Sequence, residues 1–156
     1  MSTETLREDM TDFSSIICLK AIITGLEKIM GAQAARGNLI RAGIIRGREI
    51  AKKLGISQTD APIEQWISLA REAVGRSGTR LCDIKNTEEE NGTIRIFLKD
   101  TICSAGEELG SSRELSFTQG AIQGLAEEAL GKRFVSKQIG SVLRGQEYDI
   151  VELTPR

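Results

Sequence analysis

The stretch "IRAGIIRGREIAKKLG", residues 40–55, carries the pattern that decides the fold. Its apolar and small residues recur at the spacing of one face of an α-helix, and they are Ile40, Gly43, Ile44, Gly47, Ile50, Ala51 and Leu54. A glycine inside a helix costs roughly 1 kcal/mol relative to alanine. Gly43 and Gly47 must therefore provide something that alanine could not.

A second glycine pair at the same spacing occurs in "FTQGAIQGLAEEALG", residues 117–131, where Gly120 and Gly124 lie four residues apart. Missing side chains along a helix let a neighbouring backbone or a flat ligand approach closely. Two interpretations follow from this property. The glycines either pack a helix against another helix or a sheet, or they form part of the wall of a ligand cavity.

Periodicity along the whole chain predicts four helices, which cover residues 13–30, from 32 or 38 to 54, 62–75 and 116–131. Alternating patterns predict four strands, at residues 81–84, 93–99, 133–139 and 147–153. We expect "KNTEEENG", residues 85–92, to form a hairpin loop and residues 101–114 to be irregular. Ser116 and Gln119 have the spacing of a capping box. The predicted order is ααα-ββ-α-ββ.

The length of 156 residues suits one compact domain, predicted at residues 13–156 after a flexible, polar tail of residues 1–12. The net charge of −1 supplies no bulk attraction to nucleic acid or to an anionic membrane. Lys20 and Glu27 interrupt the apolar run of residues 13–30, which therefore indicates a buried helix rather than membrane insertion.

Histidine is absent from the sequence, which excludes Ser-His-Asp and Cys-His catalysis and a proximal imidazole for haem. Cys18, Cys82 and Cys103 show no metal-binding spacing, and such scattered thiols suit a reducing compartment. The sequence therefore favours a cytoplasmic protein that is not an enzyme and that holds no metal and no cofactor.

The chain resembles the 4-vinyl-reductase, or hydrocarbon-binding, domain family over residues 37–153. A helix of the type "aGrraGrelAkkLG" opens the domain in that family, as residues 40–55 do here. The later family pattern "f.qGaiaGlaealtGk.v.v" is matched by "FTQGAIQGLAEEALGKRFVSKQ", residues 117–138. A closing strand after a glycine turn is matched by "RGQEYDIVEL", residues 144–153.

This resemblance implies an α+β fold in which helices pack on one side of an antiparallel sheet of about four strands. The fold would be similar to those of haem nitric-oxide-binding and TRAPP-subunit proteins. Family members are associated with small apolar ligands, with tetrapyrrole biosynthesis, or with regulatory and assembly roles. Many carry cysteines before and after the final turn, proposed as metal ligands, but this chain has Ser141 and Tyr148 or Asp149 there. The departure removes the basis for a thiolate metal site.

Two functions are consistent with the residues and the resemblance. The first is a non-catalytic module that binds or senses a small apolar ligand between the second and fourth helices and the sheet, with tetrapyrrole handling as an implied link. Its predicted pocket is lined by Ile40, Gly43, Ile44, Gly47, Trp66, Phe117, Ala121 and Gly124. The alternative is a structural or assembly protein that uses the same fold for subunit contacts, with a filled interior.

The first helix is apolar around nearly its whole circumference, whereas a surface helix should show one polar side. An apolar stripe left outside the core could be buried by a second copy in a two-fold contact. We therefore predict a homodimer built partly on this helix, through Ile16, Leu19 and Ile23.

Overall fold

The computed structural model describes residues 6–156, which form four α-helices and one antiparallel sheet of four strands. The helices are α1 (Ile16–Met30), α2 (Ala32–Lys53), α3 (Ile63–Val74) and α4 (Phe117–Leu130). The strands are β1 (Asp83–Glu90), β2 (Thr93–Lys99), β3 (Phe134–Gly140) and β4 (Asp149–Pro155). The predicted α+β class and the predicted order of elements are confirmed.

The strands lie in the order β1-β2-β4-β3, and each neighbouring pair is antiparallel. Asn91 and Gly92 connect β1 to β2 with positive φ angles of 51° and 80°, as a two-residue type I′ hairpin turn requires. The prediction of a loop over residues 85–92 is therefore wrong, because strand pairing continues to Glu90, which lies opposite Thr93. Acidic side chains are tolerated in β1 because it is an edge strand with exposed positions.

The helices cover one face of the sheet. In β2, Ile94, Ile96 and Leu98 are buried, while the residues between them are half-buried, which is the two-residue period of a strand. α4 shares with α2 the most extensive contact of any two elements, and it also contacts β3 and β4. Because it lies between α2 and the sheet, α4 is buried along almost its whole length.

The ends of α4 show one correct and one wrong sequence prediction. The helix ends at Gly131, which adopts the left-handed conformation predicted for a C-terminal cap. The capping box at its start is wrong, because the Ser116 side chain makes no cap hydrogen bond. The Gln119 side chain donates instead to the hydroxyl of Ser136 on β3, at 2.9 Å.

The sequence predicts a flexible tail over residues 1–12, before α1. Residues 1–5 lie outside the described part of the chain, and residues 6–12 are exposed, so the tail and the domain bounds stay predictions. No helix within residues 6–156 is both long enough and apolar enough to cross a membrane.

Candidate functional site

Four glycines form the crossing of α2 and α4, here called the glycine crossing. Gly43 and Gly47 of α2 face the backbone of α4, and Gly120 and Gly124 of α4 face the backbone of α2. A Cβ atom placed on any of the four would overlap a carbonyl oxygen of the other helix. The two backbones therefore touch directly, and the dispersion attraction between them offsets the low helix propensity of glycine.

The surrounding atoms confirm how little room the glycine crossing leaves. A Cβ atom at Gly43 would lie 2.8 Å from the amide nitrogen of Ala121, and one at Gly47 would lie 2.7 Å from that of Leu125. Both distances are much shorter than the optimal separation of about 3.5–4.0 Å between non-bonded atoms. Close helix packing, the first of the two interpretations, is therefore what these glycines do at the crossing.

The structure brings seven of the eight predicted pocket residues together at the glycine crossing. Three of them are glycines, and the other four supply the carbonyl oxygens that the glycines of the crossing face. The seven residues are Ile40, Gly43, Ile44, Gly47, Phe117, Ala121 and Gly124. The eighth residue, Trp66, lies on α3, outside the two helices that form the crossing. The predicted pocket as a whole stays a prediction.

Trp66 points into the core from the inner side of α3, the side that also buries Ile67, Ala70 and Val74. It is 1% exposed. Its indole Nε1, which can only donate a hydrogen bond, has no partner among the residues that the structure describes. An unpaired buried donor costs about 1–3 kcal/mol. An acceptor placed beside this nitrogen would remove that cost.

α4 presents a row of buried polar side chains to β3. Gln123 donates to the carbonyl oxygen of Phe134 at 3.0 Å, and Glu127 accepts from the amide of the same residue at 3.1 Å. Gln119 donates to the backbone carbonyl oxygen of Ser136 at 3.3 Å and to its hydroxyl at 2.9 Å. Because β3 is an edge strand, these side chains occupy hydrogen-bonding groups that a further strand would otherwise pair with.

Glu127 is the charged member of this row, and its carboxylate accepts hydrogen bonds from Arg48, Arg133 and Gln123. Burial by itself would raise the pKa of Glu127, but hydrogen bonds from Arg48, Gln123 and the Phe134 amide outweigh it and lower the pKa. Sequence reasoning missed this group. The available signal was three polar residues at four-residue spacing in a helix otherwise rich in alanine, glycine and leucine.

A second buried polar cluster lies at the connection between β3 and β4. Ser141 and Asp149 are both completely buried. Asp149 accepts hydrogen bonds from the hydroxyls of Thr101 at 2.7 Å and Ser104 at 2.8 Å, and from the amide of Val142 at 3.0 Å. These hydrogen bonds hold the segment after β2, which contains Thr101 and Ser104, against Asp149 at the start of β4. In the described part of the chain, no group of three or more potential metal ligands is placed to hold an ion.

Two surface clefts are lined mainly by charged and polar side chains. One of about 460 Å³ lies between the start of α2 and residues 111–116, and it includes Arg36 and Arg113. The other, of about 300 Å³, lies at the end of α4 and includes Arg48 and Lys132. Neither cleft contains a residue of the predicted pocket.

The predicted dimer residues lie largely on the inner side of α1. Ile23 is completely buried and Leu19 packs against the core, whereas Ile16 is 47% exposed. A helix that is apolar all round does not reveal which side faces inward, so the sequence could not identify the exposed one. The outward side, here called the α1 face, carries the half-buried Gly25 and four exposed residues, which are Ile17, Ala21, Ile22 and Ile29.

No protein-family model and no curated protein matches the sequence. By structure, the chain is similar to the phenol-responsive sensory domain of the transcription activator PoxR with phenol. The TM-score is 0.70 at 12% identity, covering 94% of this chain and 77% of that one.

The chain is also similar to a trafficking protein particle complex subunit 3 from Naegleria fowleri covalently bound to palmitic acid. The TM-score is 0.51 at 12% identity, covering 91% of this chain and 97% of that one. The predicted likeness to TRAPP-subunit folds is confirmed at the level of the fold, which is all that such low identities show.

Proposed function

We propose that this protein is a non-catalytic module of the 4-vinyl-reductase type that binds or senses a small, largely apolar molecule carrying a hydrogen-bond acceptor. The observation that carries the proposal is the buried indole N–H of Trp66, which has no partner in the described residues. The fold likeness to a phenol-responsive domain supports it, because a phenolic oxygen can accept the hydrogen bond that this nitrogen lacks.

The proposed ligand lies on the inner side of α3, beside Trp66, because the glycine crossing leaves no space for it. α3 contacts α2 and β1 far less extensively than α2 contacts α4. A sparsely packed element can move at a lower cost in free energy than a densely packed one. α3 is therefore the element proposed to move when the ligand binds. The other seven predicted pocket residues, at the glycine crossing, would stay in place.

The first test uses Trp66 as its own reporter, since it is the one tryptophan of the chain. We expect phenol to change its fluorescence saturably and to raise the melting temperature, because a ligand that binds the folded state stabilises it. Benzene has the same ring without the oxygen, and the lost hydrogen bond should weaken binding about tenfold. Unchanged emission and melting temperature at every non-denaturing phenol concentration would contradict the proposal.

A variant separates the hydrogen bond from the apolar contact. Trp66→Phe keeps an aromatic ring and removes the N–H, so we expect it to fold and to bind phenol no more tightly than benzene. Isothermal titration calorimetry measures both affinities without relying on tryptophan emission. A variant that still prefers phenol over benzene as strongly as the natural chain does would rule out Trp66 as the donor.

The second candidate function is structural, and the exposed apolar α1 face favours it. Ile17, Ile22 and Ile29 are 74%, 57% and 83% exposed. We propose that the chain forms a homodimer through this face, and the fold likeness to a subunit of a trafficking complex is consistent with such a role. Dimerisation without any response to phenol would favour assembly over ligand sensing.

The proposal retains the predicted cytoplasmic location. Cys18 is exposed, and Cys82 and Cys103 are buried without a disulfide, and free thiols persist best in a reducing compartment. The link to tetrapyrrole handling is not part of the proposal, because neither structural relative supports it.

A further inference from the structure

Exposed apolar side chains are concentrated at the beginning of the chain. Of the thirteen large hydrophobic side chains that are exposed in the described residues, eight lie between residues 6 and 30. Scattered hydrophobic residues are normal on a protein surface, whereas a concentrated patch marks an interaction site. The α1 face and the residues just before it form such a patch.

Two of the three charged side chains of α1 are committed to the chain's own ion pairs. Lys20 pairs with Glu107 at 2.8 Å, and its hydrogen bond lowers the pKa of that carboxyl. Arg113 binds Glu27 at 2.5 Å and Glu107 at 2.8 Å. Lys28 is then the one charged residue of α1 outside these pairs. A helix that lies on a membrane surface is typically rich in basic residues. The α1 face is not, so it is better suited to binding an uncharged protein surface than to binding a membrane.

We infer that the α1 face pairs with the same face of a second copy, with the two helices antiparallel and crossing at Ala21 and Gly25. This inference rests on the self-association proposed above and specifies its geometry. Ile17, Ala21, Gly25 and Ile29 follow one four-residue row of the helix. In the antiparallel pair, Ala21 lies opposite Gly25 of the second copy, and Ile17 lies opposite Ile29. Small residues meet at the crossing and isoleucines close both ends.

Residues 6–156 leave this crossing point open. Among them, a Cβ atom placed on Gly25 would meet no atom within 4 Å, and Ala21 is exposed. Two small residues in the middle of an apolar row permit a second helix backbone to approach closely, as at the glycine crossing.

Charge selects the antiparallel direction. Residues 7–12 carry Arg7 together with Glu8, Asp9 and Asp12, so the segment before α1 has an acidic excess, whereas Lys28 lies near the end of the helix. An antiparallel pair places the acidic segment of one copy beside Lys28 of the other. A parallel pair would instead place Lys28 of one copy beside Lys28 of the other and point both helix dipoles in the same direction, and both contacts are repulsive. The favoured arrangement is an isologous two-fold contact.

Light scattering of the full chain at micromolar concentration tests the association. We expect twice the chain mass of 17.0 kDa, and we expect Ile17→Asp to raise the dimer dissociation constant at least about a hundredfold, since it places a charge in an apolar contact. Aspartate in the first turn suits the helix dipole, so the fold should persist. Val135→Asp, at an exposed position on β3, is the matched control and should remain dimeric.

Disulfide trapping tests the direction in a Cys18→Ser background. Ala21→Cys and Gly25→Cys chains should crosslink when mixed, and neither should crosslink alone, because a disulfide requires Cα atoms within about 7 Å. A dimer in which each variant crosslinks with itself would overturn the antiparallel geometry, as would a dimer with no α1 crosslink. A chain that stays monomeric, whether or not it binds lipid vesicles, would overturn the self-association as well.

Discussion

The glycine crossing and the α1 face have similar sequence patterns and opposite surroundings. Both place two small residues four positions apart on the apolar side of a helix, Gly43 and Gly47 in α2 and Ala21 and Gly25 in α1. A Cβ atom at Gly47 would overlap the backbone of α4, whereas one at Gly25 would meet no described residue within 4 Å. The spacing indicates that a backbone can approach closely. It does not indicate whether that backbone belongs to the same chain.

This difference gives glycine opposite energetic effects in the two places. At the glycine crossing, the close packing of α2 on α4 offsets the conformational entropy that glycine loses on folding. In α1, no residue of the described part of the chain packs against Gly25 to offset that loss. A substitution that adds a side chain should therefore be harmful at the first site and, in a monomer, tolerated at the second. The following predictions test this contrast.

The largest effect is expected from Gly47→Leu or Gly124→Leu. Each side chain would have to displace the opposite backbone, so we expect the free energy of unfolding to fall by about 3 kcal/mol or more. Urea denaturation measures this loss. Gly37→Leu is the matched control and should change stability little, because Gly37 lies on α2 and an added Cβ would meet no atom of residues 6–156 within 4 Å. If the urea concentration at the unfolding midpoint were as high for Gly47→Leu as for the natural chain, the two helices would not be in rigid contact and the prediction would be wrong.

An intermediate effect is expected at the end of the glycine crossing, where Glu127 on α4 binds Arg48 on α2. Glu127→Gln keeps the shape of the side chain and removes its charge. Loss of the charge-assisted hydrogen bonds should cost roughly 1.5–3 kcal/mol at neutral pH, measured by urea denaturation. Glu49→Gln, on the exposed side of α2, is the control and should have a much smaller effect.

The same substitution predicts a difference in pH dependence. Because the pKa of Glu127 is lowered by folding, its contribution is complete above the ordinary glutamate value of 4.5. It is lost as the pH falls from that value through the lower pKa of the folded state. The natural chain should therefore lose more stability than Glu127→Gln over this acidic range. Parallel pH profiles for the two proteins would contradict the proposed strength of these hydrogen bonds.

The smallest effect is expected from Gly25→Ala. Alanine is favoured over glycine within a helix, and the added Cβ meets no atom of the described residues within 4 Å, so a monomer should gain up to about 1 kcal/mol. Denaturation of the Ile17→Asp variant with and without this change measures the gain in the absence of dimerisation. A loss of stability comparable to that of Gly47→Leu would remove the distinction between the two regions.

Local sequence signals predicted much of the fold because their causes act over a few residues. The helical period located α2, the pair Asn91-Gly92 marked the hairpin turn, and Gly131 marked the end of α4. The extent of β1 was missed, since its acidic residues have low strand propensity and are ordered by pairing with β2. The inner side of α1 was also missed, because a uniformly apolar helix carries no polar side to orient it.

The sequence by itself determined the α+β class, the order of the elements, the absence of histidine chemistry and the presence of two glycine pairs that permit a close approach. Only the tertiary structure decided that α2 and α4 fill each other's glycine positions, that the indole N–H of Trp66 is buried without a partner in the described residues, and that Ile17, Ile22 and Ile29 face outward. The physical reason is that propensity and periodicity depend on neighbours along the chain. Space, burial and the pairing of polar groups depend on segments brought together by folding.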